Sequence, residues 1–211
     1  MTKCHIIKRG VRMPKETFFH LKEEKKENIE KALIAEFSSV TFEEASISNI
    51  IERAKIPRGS FYQYFLDKND AAEYIIEKFI RMEHKKIYNF LLEAKGNIFE
   101  TSLKIYDYAV EESLKEKNIK LMKNILQELR KNNINIFRNE YGIEYKEQIH
   151  EIIDRESLNI ANEEELIYIM KILTTVIRTI TIEAISKKVS KEEGRKELEM
   201  ELEILKKGMQ K

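Results

Sequence analysis

The stretch S-I-S-N-I-I-E-R-A-K-I-P-R-G-S-F-Y-Q-Y-F-L-D-K, from Ser46 to Lys68, holds the side chains best suited to recognition chemistry. Phe61 and Phe65 stand four apart, the spacing of one buried helix edge. Arg58, Ser60, Tyr62, Gln63 and Tyr64 then point elsewhere. Arginine takes guanine bidentately and glutamine takes adenine, while serine and tyrosine hydroxyls reach phosphate oxygens. Gly59 lacks a side chain where a helix start would approach another backbone closely. The same spacing also describes an ordinary helical hairpin with Tyr62 and Tyr64 packed in its core.

Other chemistry is thin. His5, His20, His84 and His150 are scattered. None has a second His or Cys three or four residues on, so no zinc site forms on one helix. Six glycines leave no G-x-S-x-G or G-x-x-x-x-G-K motif. Glu163, Glu164 and Glu165 suit the first turn of a helix, where carboxylates complement the dipole. The expectation is therefore no enzyme, no metal and no cofactor. Cys4 is the one cysteine, which precludes an intramolecular disulfide and fits a reducing cytoplasm. No apolar run approaches the roughly 18 residues of a membrane span.

The elements that must position the Ser46–Lys68 residues are helical. Gly and Pro number 6 and 2 in 211 residues, which starves a chain of the turns that sheets require. With 36% charged and 42% hydrophobic residues the chain can bury a core and stay in solution. Ile29, Ala32, Leu33, Glu36 and Phe37 mark a helix ending near Ser39. Ser46 reads as an N-cap before Ile47, Ile50, Ile51 and Ala54, and Pro57 suits the start of the next helix. Two short helices joined by a few residues form a helix-turn-helix. A long stripe runs from Ala72 to about Glu93 and breaks at Gly96. Later helices are expected to about Ser113, around Met122–Leu129, over 144–158, over 163–188 and over 190–209, giving about nine in all.

The run Thr174–Ile185 is rich in β-branched residues and resembles a strand, but no other segment reads as β, so it is taken as helix. That helix is apolar on nearly all sides, which predicts that a second chain covers one side. Residues 1–20 carry Lys3, Lys8, Arg9, Arg12 and Lys15 against Glu16 alone. They read as a basic, flexible arm, free or in contact with DNA.

The pattern over about residues 21–75 resembles the N-terminal domain of TetR/AcrR transcriptional regulators. Phe37 ends the first helix; Ser46, Ile47, Ile50 and Ala54 follow; then come Gly59, Phe61, Tyr62, Phe65 and Lys68. The resemblance implies an all-α protein, with a three-helix DNA-binding domain at 21–67 and a ligand-binding and dimerisation domain at 68–211. It implies a homodimeric repressor, released from a palindromic operator by a small-molecule effector. By this resemblance Tyr62 and Lys68 contact phosphates with Ser46 and Ser48, while Arg58, Ser60, Gln63 and Tyr64 face the bases. Effector contacts would fall among the middle helices, at Met82, Tyr106, Met122, Phe137 and Tyr168. Arg178, a charge in the most apolar helix, would anchor an anion or pair with an acid across the dimer. An adaptor of the same fold that binds protein is the alternative.

Two positions depart from the family pattern. Thr41 and Lys55 stand where glycine is usual, and a left-handed backbone at either would cost roughly 1 kcal/mol.

Overall fold

Ten helices run through the computed structural model, which describes residues 14–113, 116–131 and 143–209. They are α1 (Glu16–Phe19), α2 (Glu23–Ser39), α3 (Ile47–Ala54), α4 (Arg58–Tyr64), α5 (Lys68–Glu93), α6 (Ile98–Ser113), α7 (Glu116–Lys131), α8 (Ile143–Ile152), α9 (Glu163–Ile185) and α10 (Lys191–Met209). Helices α2 to α10 are the nine the periodicity predicts. No strand occurs among the described residues. The Thr-rich run is helical, and three of its hydroxyls are accommodated within the helix. Thr174, Thr175 and Thr179 each donate to the carbonyl four residues back, at 2.7, 2.8 and 2.9 Å, so the polar atoms of exposed and half-buried threonines are satisfied within the helix.

The chain divides into two units. The first takes the described residues of Met1–Arg81 and of Lys120–Tyr141. Its core joins Leu33 and Phe37 of α2, Ile50 of α3, Phe61 of α4, and Ile75 and Ile80 of α5. Neither expected boundary coincides with these units. Residues 68–81 belong with the helix-turn-helix because α5 supplies its core. So does part of α7, where Ile125 is fully buried among these side chains and Asn124 Nδ2 donates to the carbonyls of Phe37 and Val40, both at 2.8 Å. Those carbonyls close α2, where no helical partner remains for them.

Residues 14–20 are not the flexible arm that their basic neighbours suggest. They are docked, with Phe18 fully buried against Phe65 and Tyr74 at ring-centroid distances of 5.0 and 5.1 Å. Lys3, Cys4, Lys8, Arg9 and Arg12 lie outside the described residues.

The second unit takes the described residues of Met82–Ile119 and of Gly142–Lys211. Helices α6, α9 and α10 pack on one another. Gly96 turns the chain before α6 with φ +83°, and a Cβ there would stand 2.4 Å from the Ile152 carbonyl. Asn97, Asn162 and Ser190 cap α6, α9 and α10 through their side-chain oxygens. Between α5 and α6, Tyr108 donates to Glu83 at 3.3 Å. Burial pushes the Glu83 carboxyl above the usual carboxylate range, with Glu112 adding to the effect. Burial likewise pushes the Tyr108 phenol up to about 12. Among the described residues no helix is long and apolar enough to cross a membrane.

Candidate nucleic-acid interface

Helix α3 is fixed at both ends. At its start Ser46 is extended (φ −114°, ψ 127°) and its hydroxyl accepts the Ser48 N–H at 3.2 Å. The Ser46 N–H donates in turn to Glu36, at 2.9 Å, and Asn49 Nδ2 donates to the same carboxylate oxygen at 3.0 Å. Glu36 is buried on α2, with Arg53 Nε 3.7 Å from its other oxygen. A carboxylate inside the first unit thus accepts donors along α3, which sets that helix against α2.

At the other end Lys55 adopts the left-handed region (φ 52°, ψ 45°). Its N–H bonds to Glu52 O at 3.2 Å and the Ile56 N–H to Ile51 O at 3.1 Å, the paired closure that usually employs glycine. Thr41 behaves differently. It is absent from the left-handed positions and forms a reciprocal cap instead: Glu44 accepts from Thr41 N and Oγ1 at 3.2 and 2.8 Å, and Thr41 Oγ1 accepts from Glu44 N at 3.3 Å. These bonds hold the Glu44 carboxyl below its ordinary range.

Helix α4 follows Pro57 and buries Phe61, Tyr64 and, at its end, Phe65. That disposes of one expected reading residue. Tyr64 is only 4% exposed, because Phe18 from the docked N-terminal segment packs beside it at 6.1 Å. Its ring is core and faces no base. Arg58, Gly59, Tyr62 and Gln63 are exposed, and Ser60 is half-buried. Arg58 Nη1 donates to Ser48 Oγ at 3.4 Å, and its guanidinium lies over the Tyr62 ring at 6.0 Å. The start of α3 and the outer face of α4 therefore meet through Ser48, Arg58 and Tyr62. A Cβ at Gly59 would meet nothing within 4 Å, so the fold itself does not require glycine there. Lys68, at the start of α5, is half-buried with its ammonium donating to the Glu43 carbonyl.

The expected effector residues differ in their surroundings. Tyr106 is fully buried and its hydroxyl donates to Lys191 O at 2.9 Å; a Cβ at Gly194 would come within 2.4 Å of the tyrosine hydroxyl. This tyrosine is spent on joining α6 to α10. Met82 and Tyr168 are 58% and 54% exposed, and Arg178 is exposed too. Met122 is half-buried in the first unit, and Phe137 lies outside the described residues.

Sequence reasoning missed Lys15 and Thr17, which hydrogen-bond to the backbone of α4. The adjacent Phe18 and Phe19 were the available signal, since a free arm has no use for two aromatic rings.

Residues 97–209, more than half of the chain, match the family model described as "Tetracyclin repressor-like, C-terminal domain". The chain belongs to the TetR family. TetR-family proteins are transcriptional regulators that bind DNA through a helix-turn-helix, and they are not enzymes. This TetR-family chain is thus a DNA-binding regulator in the general sense. Among solved structures, a TetR family transcriptional regulator from Chloroflexus aurantiacus J-10-FL is similar to it, with 23% identity and a TM-score of 0.47 over 94% of this chain and 99% of that one. No curated protein matches the sequence.

Proposed function

We propose that this TetR-family protein is a homodimeric repressor that reads a palindromic operator and leaves it when a small molecule binds the C-terminal unit. The observation that carries the reading is the outer face of α4. Arg58, Tyr62 and Gln63 stand exposed there, on a helix whose inner face is committed to Phe61, Tyr64 and Phe65. An arginine and a glutamine have the paired donors and acceptors that base edges reward. Ser46, Ser48, Tyr62 and Lys68 are the phosphate partners, Ser60 faces the bases beside Arg58 and Gln63, and Gly59 permits close approach of the helix start.

The dimer reading has its own support. Tyr168, Ile172 and Ile182 on α9 and Met200 and Ile204 on α10 are all more than 40% exposed. Apolar side chains in that number on two long helices suit a second copy of the same chain. An effector acts by binding better to a conformation whose α4 helices are misplaced, and such couplings are typically 1–3 kcal/mol. The cytoplasm, where DNA and such effectors meet, is the proposed compartment.

The test is DNA binding by fluorescence anisotropy across a salt series. Lys68→Ala should weaken binding to every duplex and reduce the salt slope by about one. Arg58→Ala should cost about 1–3 kcal/mol on the preferred duplex and much less on others. A protein that binds no duplex at low salt would favour the adaptor.

A further inference from the structure

We propose that Lys15 and Thr17 are positioning residues for DNA reading: they hold the carboxyl end of α4 and so set the direction of its exposed face. The proposal rests on the reading of α4 as the recognition helix.

A helix ends with four carbonyls that lack helical partners. In α4 these belong to Phe61, Tyr62, Gln63 and Tyr64. The Phe61 carbonyl accepts the Phe65 N–H at 2.9 Å. The other three are taken by the N-terminal segment. Lys15 N–H donates to Tyr64 O at 2.8 Å, Lys15 Nζ to Tyr62 O at 2.7 Å, and Thr17 Oγ1 to Gln63 O. No carbonyl at this end is left to solvent. The ammonium also lies where a helix dipole favours positive charge.

The helix needs this support. It has seven residues with a glycine at its second position, far below the length at which a helix is stable by itself. Its end lacks the left-handed closure found at Lys55, since Phe65 is extended (φ −122°, ψ 146°). Phe18 completes the grip by packing against Tyr64, Phe65 and Tyr74. Tyr74 in turn donates to buried Glu30 of α2. Two of the gripped carbonyls belong to Tyr62 and Gln63, whose side chains are exposed. Thr17 and Lys15 are themselves exposed, so their hydrogen bonds contribute direction more than bulk to the core.

The experiment uses the full chain and measures affinity for a selected operator and for an unrelated duplex at the same salt. Thr17→Val removes the donor without altering charge or volume. It should lower operator affinity about tenfold, leave the unrelated duplex within about twofold, and leave the salt slope unchanged. Thr17→Ser, which keeps the hydroxyl, should restore the wild-type ratio. Deleting residues 2–13 should also keep that ratio, because Lys15 and Thr17 remain. Thermal unfolding is followed for each protein, and a variant that loses the ratio while keeping its Tm supports positioning. Equal operator affinity for Thr17→Val, Lys15→Met and wild type overturns the proposal. So does a parallel loss on both duplexes with a salt slope reduced by about one in Lys15→Met, the mark of a direct phosphate contact. If wild type itself prefers no sequence, the recognition-helix reading fails first and the proposal falls with it.

Discussion

Glu36 on α2 accepts the backbone N–H of Ser46 at 2.9 Å, although ten residues of chain separate them. The carboxylate is buried and serves Asn49 as well. Glu36→Ala removes the acceptor of the half-buried Ser46 N–H, frees the exposed Asn49 amide to water, and should destabilise the first unit by about 1–3 kcal/mol. Glu36→Gln keeps an acceptor for the Ser46 N–H and should cost less. Denaturant unfolding, with hydrogen exchange on the α3 amides, measures both. Equal stability of wild type and Glu36→Ala would remove Glu36 from this role.

Lys55 makes the opposite prediction. A lysine at φ 52° stores strain that glycine does not. Lys55→Gly should raise stability by about 0.5–1 kcal/mol, net of the greater freedom glycine gives the unfolded chain. A rise in Tm with unchanged α3 geometry is the expected result, and a fall in Tm refutes it.

Much of this arrangement was legible in the sequence, and the failures share a cause. Ser46 as cap, Pro57 as helix start and the Phe61–Phe65 edge depend on neighbours three or four residues away, and each was placed correctly. Tyr64 was misplaced because the side chain that buries it, Phe18, comes from 46 residues earlier. The segment that carries Phe18 forms a helix of four residues, too short to show periodicity. Asn124 and Ile125 were likewise invisible as parts of the first unit, since nothing local in α7 tells which core it serves. Thr41 shows a subtler limit. Thr41 needs no left-handed backbone because it caps the turn that follows with Glu44, while Asn124 takes the carbonyls at the end of α2.

Glu83 should make stability depend on pH. Its folded-state carboxyl titrates above the ordinary value because burial disfavours the charge. The protonated form is therefore favoured by folding, and the associated stability is present below the ordinary carboxylate value and is lost as pH rises through the raised one. Glu83→Gln should flatten that decline and make the protein relatively more stable at neutral pH. Unfolding midpoints across mildly acidic pH compare the two, and identical profiles would show that Glu83 is not the group responsible.

The exposed apolar residues of α9 and α10 give the dimer a direct test. Ile172→Asp or Met200→Asp places a charge on the proposed contact and should halve the sedimenting mass, from twice 25.1 kDa to the chain mass. Wild type that sediments as a monomer while binding DNA would contradict the assembly.

On the proposed function, the outer face of α4 reads DNA sequence within a two-fold dimer. Selection from random duplex DNA, run in parallel with wild type and Gln63→Ala, addresses it most directly. Wild type should enrich an inverted repeat with half-sites about one helical turn (~34–36 Å) apart or modestly more. Gln63→Ala should relax the preference at particular base pairs within each half. Identical enriched sequences from both proteins would show that Gln63 does not read bases, and enrichment of no inverted repeat by wild type would show that the protein is not a dimeric reader of palindromic DNA.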